Sequence, residues 1–471
     1  MARKRSLVLL TLMIGTSMAA IDSSIVNVSL PVIQREFDVP MDAVALIVTS
    51  YMITYSLFIP LTSWLKNRIG YYRLYIASIL MFTIGSLLCS VSTNLTFLVL
   101  SRVIQAIGGG SIAPVSLAIL SETFPKEKRG SAIGWWGIGN VMGPAIGPTL
   151  GGVLTEYLGW ESIFYVNVPI GIITIFMAQR YLRFLKKMPV TKPPFDVKGY
   201  LYLAVFILLL QATIIPAASR YGLLSYQFII GLIITIVALW LYIRSARRPD
   251  PLLNLSIFKL PAFNRTFIIV GIRSLALFGG MFFLPFLLQG YLGYSEMESA
   301  MLLLPNALIM LVTRPLSGKL ADKGMIRNIS LIGILLLSAS FILFSTIDTG
   351  SSEVFIVGSM IIRGLGISFL IAPVSTAMLN SVKAEQTPTA TSLNTLMLQL
   401  GGSVGIASSS ALHTHLLKYY NEKGYTKLLA EHSALRNGFL VTSFIILLAF
   451  LPAIRLPQRA REKVKNTEVL G

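Results

Sequence analysis

Long apolar runs alternate with short polar segments along the whole chain. Fourteen of these runs are close to the length of about twenty residues with which a helix crosses a bilayer core of about 30 Å. The pattern therefore predicts an all-α polytopic membrane protein. The predicted spans are 7–30, 43–64, 72–92, 95–120, 131–155, 161–182, 199–218, 223–243, 265–290, 298–318, 328–347, 353–380, 390–412 and 436–455.

Composition supports this prediction. Hydrophobic residues make up 54% of the 471-residue chain and charged residues 13%, whereas soluble domains carry about 25% charged residues. The net charge of +19 would suggest nucleic-acid binding in a soluble protein, but here the basic residues lie in short loops, so no nucleic-acid partner is expected. The basic start of the chain precedes an apolar run that continues to Leu30 without a cleavage pattern, which predicts an uncleaved first helix.

The basic residues also indicate orientation. Lys and Arg are concentrated in segments on the same side as both predicted termini, for example 183–198 and 244–264, and are scarce on the other side. Cytoplasmic loops carry such an excess. We therefore expect a multi-pass protein of the cell membrane, the inner membrane where there are two, with both termini in the cytoplasm.

The chain contains an internal repeat. The sequence APVS occurs at 113–116 and again at 372–375. Repeats in a polytopic chain indicate alternating access between two bundles. The polar outer segment 413–435 is long enough to form its own hairpin or helix. The predicted units are a first six-helix bundle, an inserted two-helix linker and a second six-helix bundle, at 1–184, 185–262 and 263–471.

One carboxylate, Asp22, lies at mid-membrane depth in the predicted spans. An acid there costs about 2.5–3.5 kcal/mol on insertion scales, so it needs a partner or a function. Arg102 in the fourth span lies at a matching depth, and we expect the two side chains to pair. The pair predicts a proton-coupling site. The alternatives are a structural ion pair and an arginine that extends toward the membrane surface.

The fifth span contains a glycine- and proline-rich motif. Its glycines recur every four residues and share one helix face, while its prolines remove backbone donors and favour bending. Such a face can pack closely on a neighbour, or rock against the other half. The motif residues are Gly139, Gly143, Pro144, Gly147, Pro148, Gly151 and Gly152.

Five segments carry a resemblance to a known family: IDSSIVNVSLP at 21–31, SWLKNRIGYYR at 63–73, SRVIQAIGGG at 101–110, GNVMGPAIGPTLGGVL at 139–154 and WESIFYVNVPIG at 160–171. Over nearly its whole length the chain resembles the major facilitator superfamily, and specifically its fourteen-helix drug:proton antiporters of the EmrB/QacA type. The resemblance implies the major facilitator fold, with Asp22 as proton carrier and Arg102 poising it. It also implies export, which the 139–152 motif marks. For the last segment we expect only helix entry and packing.

The resemblance further implies two gating loops. The first departs from the family pattern, since Ser63 replaces a glycine and Asn67 replaces an acid. The missing acid weakens the charge relay that would latch the halves on the cytoplasmic side, whereas the second-half copy keeps its acid. The gating residues are Asn67, Arg68, Gly70, Arg73, Gly318, Asp322, Lys323 and Arg327.

Polar and aromatic residues within the spans are candidates for a substrate cavity, with interhelical hydrogen bonding or core packing as the alternative. Arg273, Arg314 and Arg363 could attract an anion or stabilise the second half. The cavity candidates are Asn27, Tyr51, Tyr55, Gln105, Trp136, Asn140, Asn306, Arg363, Asn394 and Gln399.

The prediction for function is a proton-coupled exporter of amphipathic or hydrophobic compounds. The rival predictions are an exporter of a lipid, a peptide or an anionic metabolite, and a non-transporting sensor or scaffold with the same fold. An enzyme is not expected, because no nucleophile, base and metal set converges. Neither cofactor nor metal is expected. The expected partners are membrane lipid, protons and a small-molecule amphipathic substrate, with a monomeric chain and, in a double-membrane organism, a periplasmic adaptor.

Overall fold

The computed structural model describes residues 2–124, 126–188, 190, 194–210, 226–247, 251, 253, 255–382 and 386–458. The regular structure of these residues is helical, which confirms the predicted all-α fold. Ten of the described helical segments are long and apolar enough to cross a membrane. The predicted spans 199–218 and 223–243 lie partly outside the described residues.

The helices follow the order of the predicted spans, and several are joined end to end. They are α1 (Ala2–Glu36), α2 (Met41–Val44), α3 (Leu46–Ser90), α4 (Leu95–Thr123), α5 (Lys126–Leu158), α6 (Ser162–Tyr165), α7 (Asn167–Tyr181), α8 (Val197–Leu209), α9 (Tyr226–Ser245), α10 (Pro261–Pro285), α11 (Glu296–Leu320), α12 (Ile326–Ser345), α13 (Glu353–Asn380), α14 (Thr387–Glu422), α15 (Lys427–Leu447) and α16 (Phe450–Ile454).

Four of the described helices that begin on the side of the bundle opposite the chain termini, here called the far side, start at polar caps. Asn94, Ser295, Ser352 and Thr426 each accept a hydrogen bond from a backbone N–H of the first turn. Such side chains satisfy donors that a helix start leaves free. The far side contains the segments 37–40, 91–94, 159–161, 292–295, 348–352 and 423–426.

The two halves repeat the same packing. In the first half α1 packs along α5 and α3 along α4, and in the second half α10 packs along α14 and α12 along α13. Each half also turns at an equivalent glycine between its second and third spans. Gly70 has φ 81° and Gly324 has φ 88°, a conformation that side chains with a Cβ atom rarely adopt.

The polar segment 413–435, for which the sequence predicts a hairpin or a helix, consists of two helix ends joined by a turn. The helix α14 continues to Glu422, and α15 begins at Lys427. The chain reverses between them at Gly424, which has φ 82°. This pair of helices therefore forms a hairpin on the far side.

The halves contact each other through α5 with α11 and through α3 with α14. Polar contacts between the halves cluster at the far side. Arg35 Nη2 lies 3.0 Å from Glu296 Oε1, and the backbone N–H of Met297 donates to Glu156 Oε2 at 2.8 Å. The molecule is therefore closed at the far side.

The inserted helices α8 and α9 pack on each other at the edge of the bundle. Leu203, Ile207 and Tyr242 join an apolar cluster that includes Leu57 of α3 and Leu396 of α14, so the pair spans the junction between the halves. Most of the large apolar side chains on the opposite face of α9 are exposed. A lipid-facing position suits these residues.

Candidate functional site

Asp22 and Arg102 form a buried ion pair within the first half. Arg102 Nη1 lies 2.7 Å from Asp22 Oδ2, and the two side chains are 1% and 0% exposed. The other carboxylate oxygen, Oδ1, accepts hydrogen bonds from Gln105 Nε2 at 2.8 Å and from Asn167 Nδ2 at 2.9 Å. Arg102 Nη1 also donates to Gln105 Oε1. Four side chains from α1, α4 and α7 thus form one network.

The arginine is enclosed on its remaining sides. Its Nε donates to the backbone oxygen of Ile47 at 3.3 Å, and its guanidinium lies 4.1 Å from the ring centroid of Tyr51 and 5.5 Å from that of Phe164. An aromatic face attracts a cation in a desolvated site. Gly109 leaves room for Tyr51, because a Cβ atom there would lie 2.5 Å from the Tyr51 hydroxyl.

Sequence reasoning missed Asn167. The expectation that segment 160–171 serves helix entry and packing alone is therefore wrong, because Asn167 holds the carboxylate of Asp22. The segment also packs as predicted, since Trp160 is buried and its Nε1 donates to Glu36 at 2.8 Å. The available signal was an amide inside an otherwise apolar run, where an unpartnered polar group is costly.

The glycine face of α5 packs against α1. A Cβ atom added at any of the four face glycines would come closer than 3.0 Å to α1, meeting in turn Ser17, Ala20, Ser24 and Ile25. Ser24 Oγ also donates to the backbone oxygen of Gly143 at 2.7 Å. The close packing on a neighbour that the motif predicts is therefore present, with α1 as the neighbour. Among the motif glycines, Gly152 approaches the second half, because a Cβ atom there would lie 2.6 Å from the backbone oxygen of Glu296.

A cavity lies between the two halves, with roughly 820 Å³ of space not occupied by protein atoms, open solvent at its mouth included. The second half supplies most of its wall, and α1 and α5 supply the rest. The lining residues are Asn27, Val28, Pro148, Leu277, Phe278, Met281, Leu284, Pro285, Leu303, Asn306, Met310, Arg314, Arg363, Ile367 and Ile371.

Three of the cavity candidates, Asn27, Asn306 and Arg363, line this cavity. Gln105 and Tyr51 belong instead to the ion-pair network. Trp136 points to α1, where its Nε1 donates to Thr16 Oγ1 at 2.9 Å. The side chain of Asn140 lies outside the described residues. The remaining candidates, which also do not line this cavity, are Tyr55, Asn394 and Gln399.

The arginines in the membrane part of the second half differ from Arg102. Arg273 and Arg363 are 4% and 5% exposed. The Nε atoms of both, and that of Arg314, are buried without a hydrogen-bond partner in the described structure. Arg363 and Arg314 line the cavity. A desolvated cation without a counter-charge is costly, so these residues need a function or a ligand.

The gating-loop residues lie at the ends of the spans on the side of the termini. The Arg68 guanidinium lies 5.3 Å from the Trp64 ring centroid, and Arg327 Nε donates to the backbone oxygen of Leu456 at 3.0 Å. Arg327 therefore ties its loop to the end of its own half. Arg73 and Lys323 are exposed, and the side chain of Asp322 lies outside the described residues.

Curated relatives cover most of the chain. A multidrug resistance protein B homolog of Mycobacterium tuberculosis (strain ATCC 25618 / H37Rv) is 31% identical over 85% of this chain and 75% of its own length. The riboflavin transporter RibZ of Clostridioides difficile (strain 630) is 30% identical over 89% of this chain and 91% of its own length. Both relatives are named as transport or resistance proteins.

Solved structures give the same fold. A bacterial homolog to the human lysosomal transporter Spinster, in an inward-facing and unoccupied conformation, superposes with a TM-score of 0.68 at 16% identity and covers 96% of each chain. The family model described as Major Facilitator Superfamily matches residues 12–406. This chain is therefore a multi-pass membrane transporter that belongs to the Major Facilitator Superfamily.

Proposed function

We propose that this transporter exports amphipathic compounds in exchange for protons, with Asp22 as the proton carrier and Arg102 as the cation that poises it. The buried Asp22–Arg102 pair is the observation that carries this proposal. It holds an ionisable acid away from water, beside one cation and two amides. Binding a proton removes the negative charge that holds Arg102, Gln105 and Asn167 on the carboxylate.

The helix α1 connects this acid to the cavity and to the far-side contacts. Two residues after Asp22, Ser24 bonds to α5. Asn27 and Val28 line the cavity, and the backbone oxygen of Val28 accepts a hydrogen bond from Gln289 of the second half at 2.8 Å. A shift of α1 when Asp22 loses its charge would therefore act on the cavity wall and on the far-side contacts together.

The cycle follows from this connection. When the far side is open, Asp22 binds a proton and releases its hold on Arg102, which favours closing that side. When the other side is open, the proton leaves and a compound enters the cavity. Two states of similar energy, biased by a proton and a ligand, are sufficient for exchange, and no covalent step is needed.

The side that bears the termini is cytoplasmic in this proposal, because Lys and Arg are concentrated there. The membrane is the cell membrane, and the functional units are the two bundles 1–184 and 263–471 with the linker 185–262 at their edge. Labelling of single introduced cysteines tests the orientation. A membrane-impermeant reagent added to intact cells should label position 425 and not position 190, and the reverse result would overturn it.

The substrate is a small amphipathic molecule in this proposal. A mostly apolar cavity with a few polar groups suits such a compound. One relative is named for multidrug resistance and another for riboflavin. A lipid, a peptide or an anionic metabolite remains the alternative substrate.

Asp22→Asn tests the coupling. The amide keeps the shape and hydrogen-bonding capacity of the side chain but does not carry a proton. In proteoliposomes with an imposed pH gradient, the variant should lose proton-driven uptake of a fluorescent amphipathic dye. Exchange of labelled against unlabelled dye without a gradient should persist and show that the protein is folded. Proton-driven transport at the wild-type rate would overturn the proposed role of Asp22.

A further inference from the structure

The described lining of the cavity carries positive charge. Arg363 and Arg314 line it, together with the amides Asn27 and Asn306, and the other lining residues that the structure describes are apolar. Among these described residues there is no carboxylate. Asp22, the acid at mid-membrane depth, does not line the cavity and is already bound by Arg102, Gln105 and Asn167.

The cavity arginines are not copies of the coupling arginine. The APVS repeat aligns Arg102 with Ile361, whereas Arg363 aligns with Ile104. A displacement of two residues turns a side chain by about 200° around a helix. Arg102 therefore faces the interior of its own half, and Arg363 faces the cavity between the halves.

Each cavity arginine has a buried Nε donor without a partner among the described residues. Arg363 is also only 5% exposed. Arg273 lies near enough to Arg314 for their charges to repel. An anion bound between the cavity arginines would form charge-assisted hydrogen bonds with them and add a negative charge beside Arg314.

We propose that the cavity binds amphipathic anions, with Arg363 and Arg314 holding a carboxylate, sulfonate or phosphate group and the apolar wall holding the rest of the molecule. This inference rests on the proposed export function, because it names the substrate class of that cavity. A cation of the same shape would meet two like charges and no partner. The cavity therefore discriminates by the sign of the charge.

A matched pair of probes tests this inference. The fluorescent anion 1-anilinonaphthalene-8-sulfonate and neutral N-phenyl-1-naphthylamine share their ring system and differ by the sulfonate. Each is titrated into protein in phosphatidylcholine nanodiscs without any gradient, with empty nanodiscs subtracted. Arg363→Gln should weaken sulfonate binding by about tenfold or more and change binding of the neutral probe by less than about twofold.

Two further variants complete the comparison. Arg363→Lys keeps the charge and should restore part of the sulfonate affinity. Arg180→Gln removes an exposed arginine at the end of α7 and should leave both affinities unchanged. Retained binding of the neutral probe shows that each variant is folded. Equal weakening of both probes in Arg363→Gln, or no weakening of either, would overturn the inference.

A lipid headgroup and a free anion share this chemistry. Phosphatidylglycerol added to the nanodiscs separates them, because a lipid that occupies the cavity lowers sulfonate affinity in the wild type and not in Arg363→Gln. Either result for the lipid, combined with the loss in Arg363→Gln, supports an anion site. The Asp22→Asn transport assay is independent of this binding assay. Each of the two proposals, proton-coupled export and the anion site, can therefore be overturned while the other stands.

Discussion

The two halves of this transporter use buried arginine in opposite ways. In the first half, Arg102 is enclosed by one carboxylate, one amide, a backbone oxygen and two aromatic rings. In the second half, Arg363 lies at similar burial on the equivalent helix but has an unpaired Nε and lines the cavity. Duplicated helices thus hold the same residue type for two roles. An arginine that is paired within the protein stabilises the fold, whereas an arginine with a free donor can bind a ligand.

The largest difference should appear when each arginine is replaced by methionine. Arg102→Met leaves the charge of Asp22 buried and unpaired, and should lower the free energy of unfolding by about 3–5 kcal/mol. Arg363→Met removes an uncompensated charge and should leave stability unchanged or increase it. Denaturation in detergent micelles, followed by tryptophan fluorescence, measures both. Equal losses in the two variants would contradict the comparison.

The ion-pair network should also depend on its third helix. Asn167→Val removes a hydrogen bond to the carboxylate, and a bond to a charged group contributes about 1.5–3 kcal/mol. The same denaturation assay measures the loss. Asn306→Val in the cavity is the matched control, because the Oδ1 of Asn306 is buried without a partner. A loss in Asn306→Val as large as that in Asn167→Val would show that Asn167 adds nothing specific.

Replacing a closely packed glycine should lower stability by a similar amount in both halves. A Cβ atom at Gly143 would lie 2.5 Å from the carbonyl carbon of Ala20 on α1, and one at Gly405 would lie 2.9 Å from the Cα of Leu275 on α10. Each glycine-to-alanine change should cost about 1–3 kcal/mol through overpacking. Gly137→Ala on α5 is the control, because a Cβ atom there meets none of the described atoms within 4 Å. A cost in Gly143→Ala no larger than in Gly137→Ala would contradict the close packing.

The smallest effect should come from the ion pair that joins the halves at the far side. The side chains of Arg35 and Glu296 are 62% and 19% exposed, and pairs of this kind contribute about 0.2–1 kcal/mol. Arg35→Gln should therefore change stability little, and the change should disappear at high salt. Loss of transport in this variant, at unchanged stability, would show that the pair controls the far side.

The sequence predicted the depth of each residue in the membrane better than the direction in which its side chain points from the helix. Apolar runs gave the order of the helices, and matching depths gave the Asp22–Arg102 pair, because position along a helix is linear in residue number. Contacts between helices distant in the chain depend on how each helix is rotated, which one sequence does not contain. For that reason the neighbour of the glycine face was not predicted, Trp136 was placed in the cavity, and Asn167 was missed.

The pairing of Asp22 with Arg102 has an electrical consequence. While Asp22 is ionised, the two charges cancel, so the empty first half experiences little force from a membrane voltage. A proton on Asp22 leaves one net positive charge in the pair, and moving one charge across the whole membrane at 100 mV is worth about 2.3 kcal/mol. In the proposed cycle, voltage therefore drives the proton-loaded step. For each proton taken in, export of a neutral compound moves one charge across the membrane, and export of a monoanion moves two.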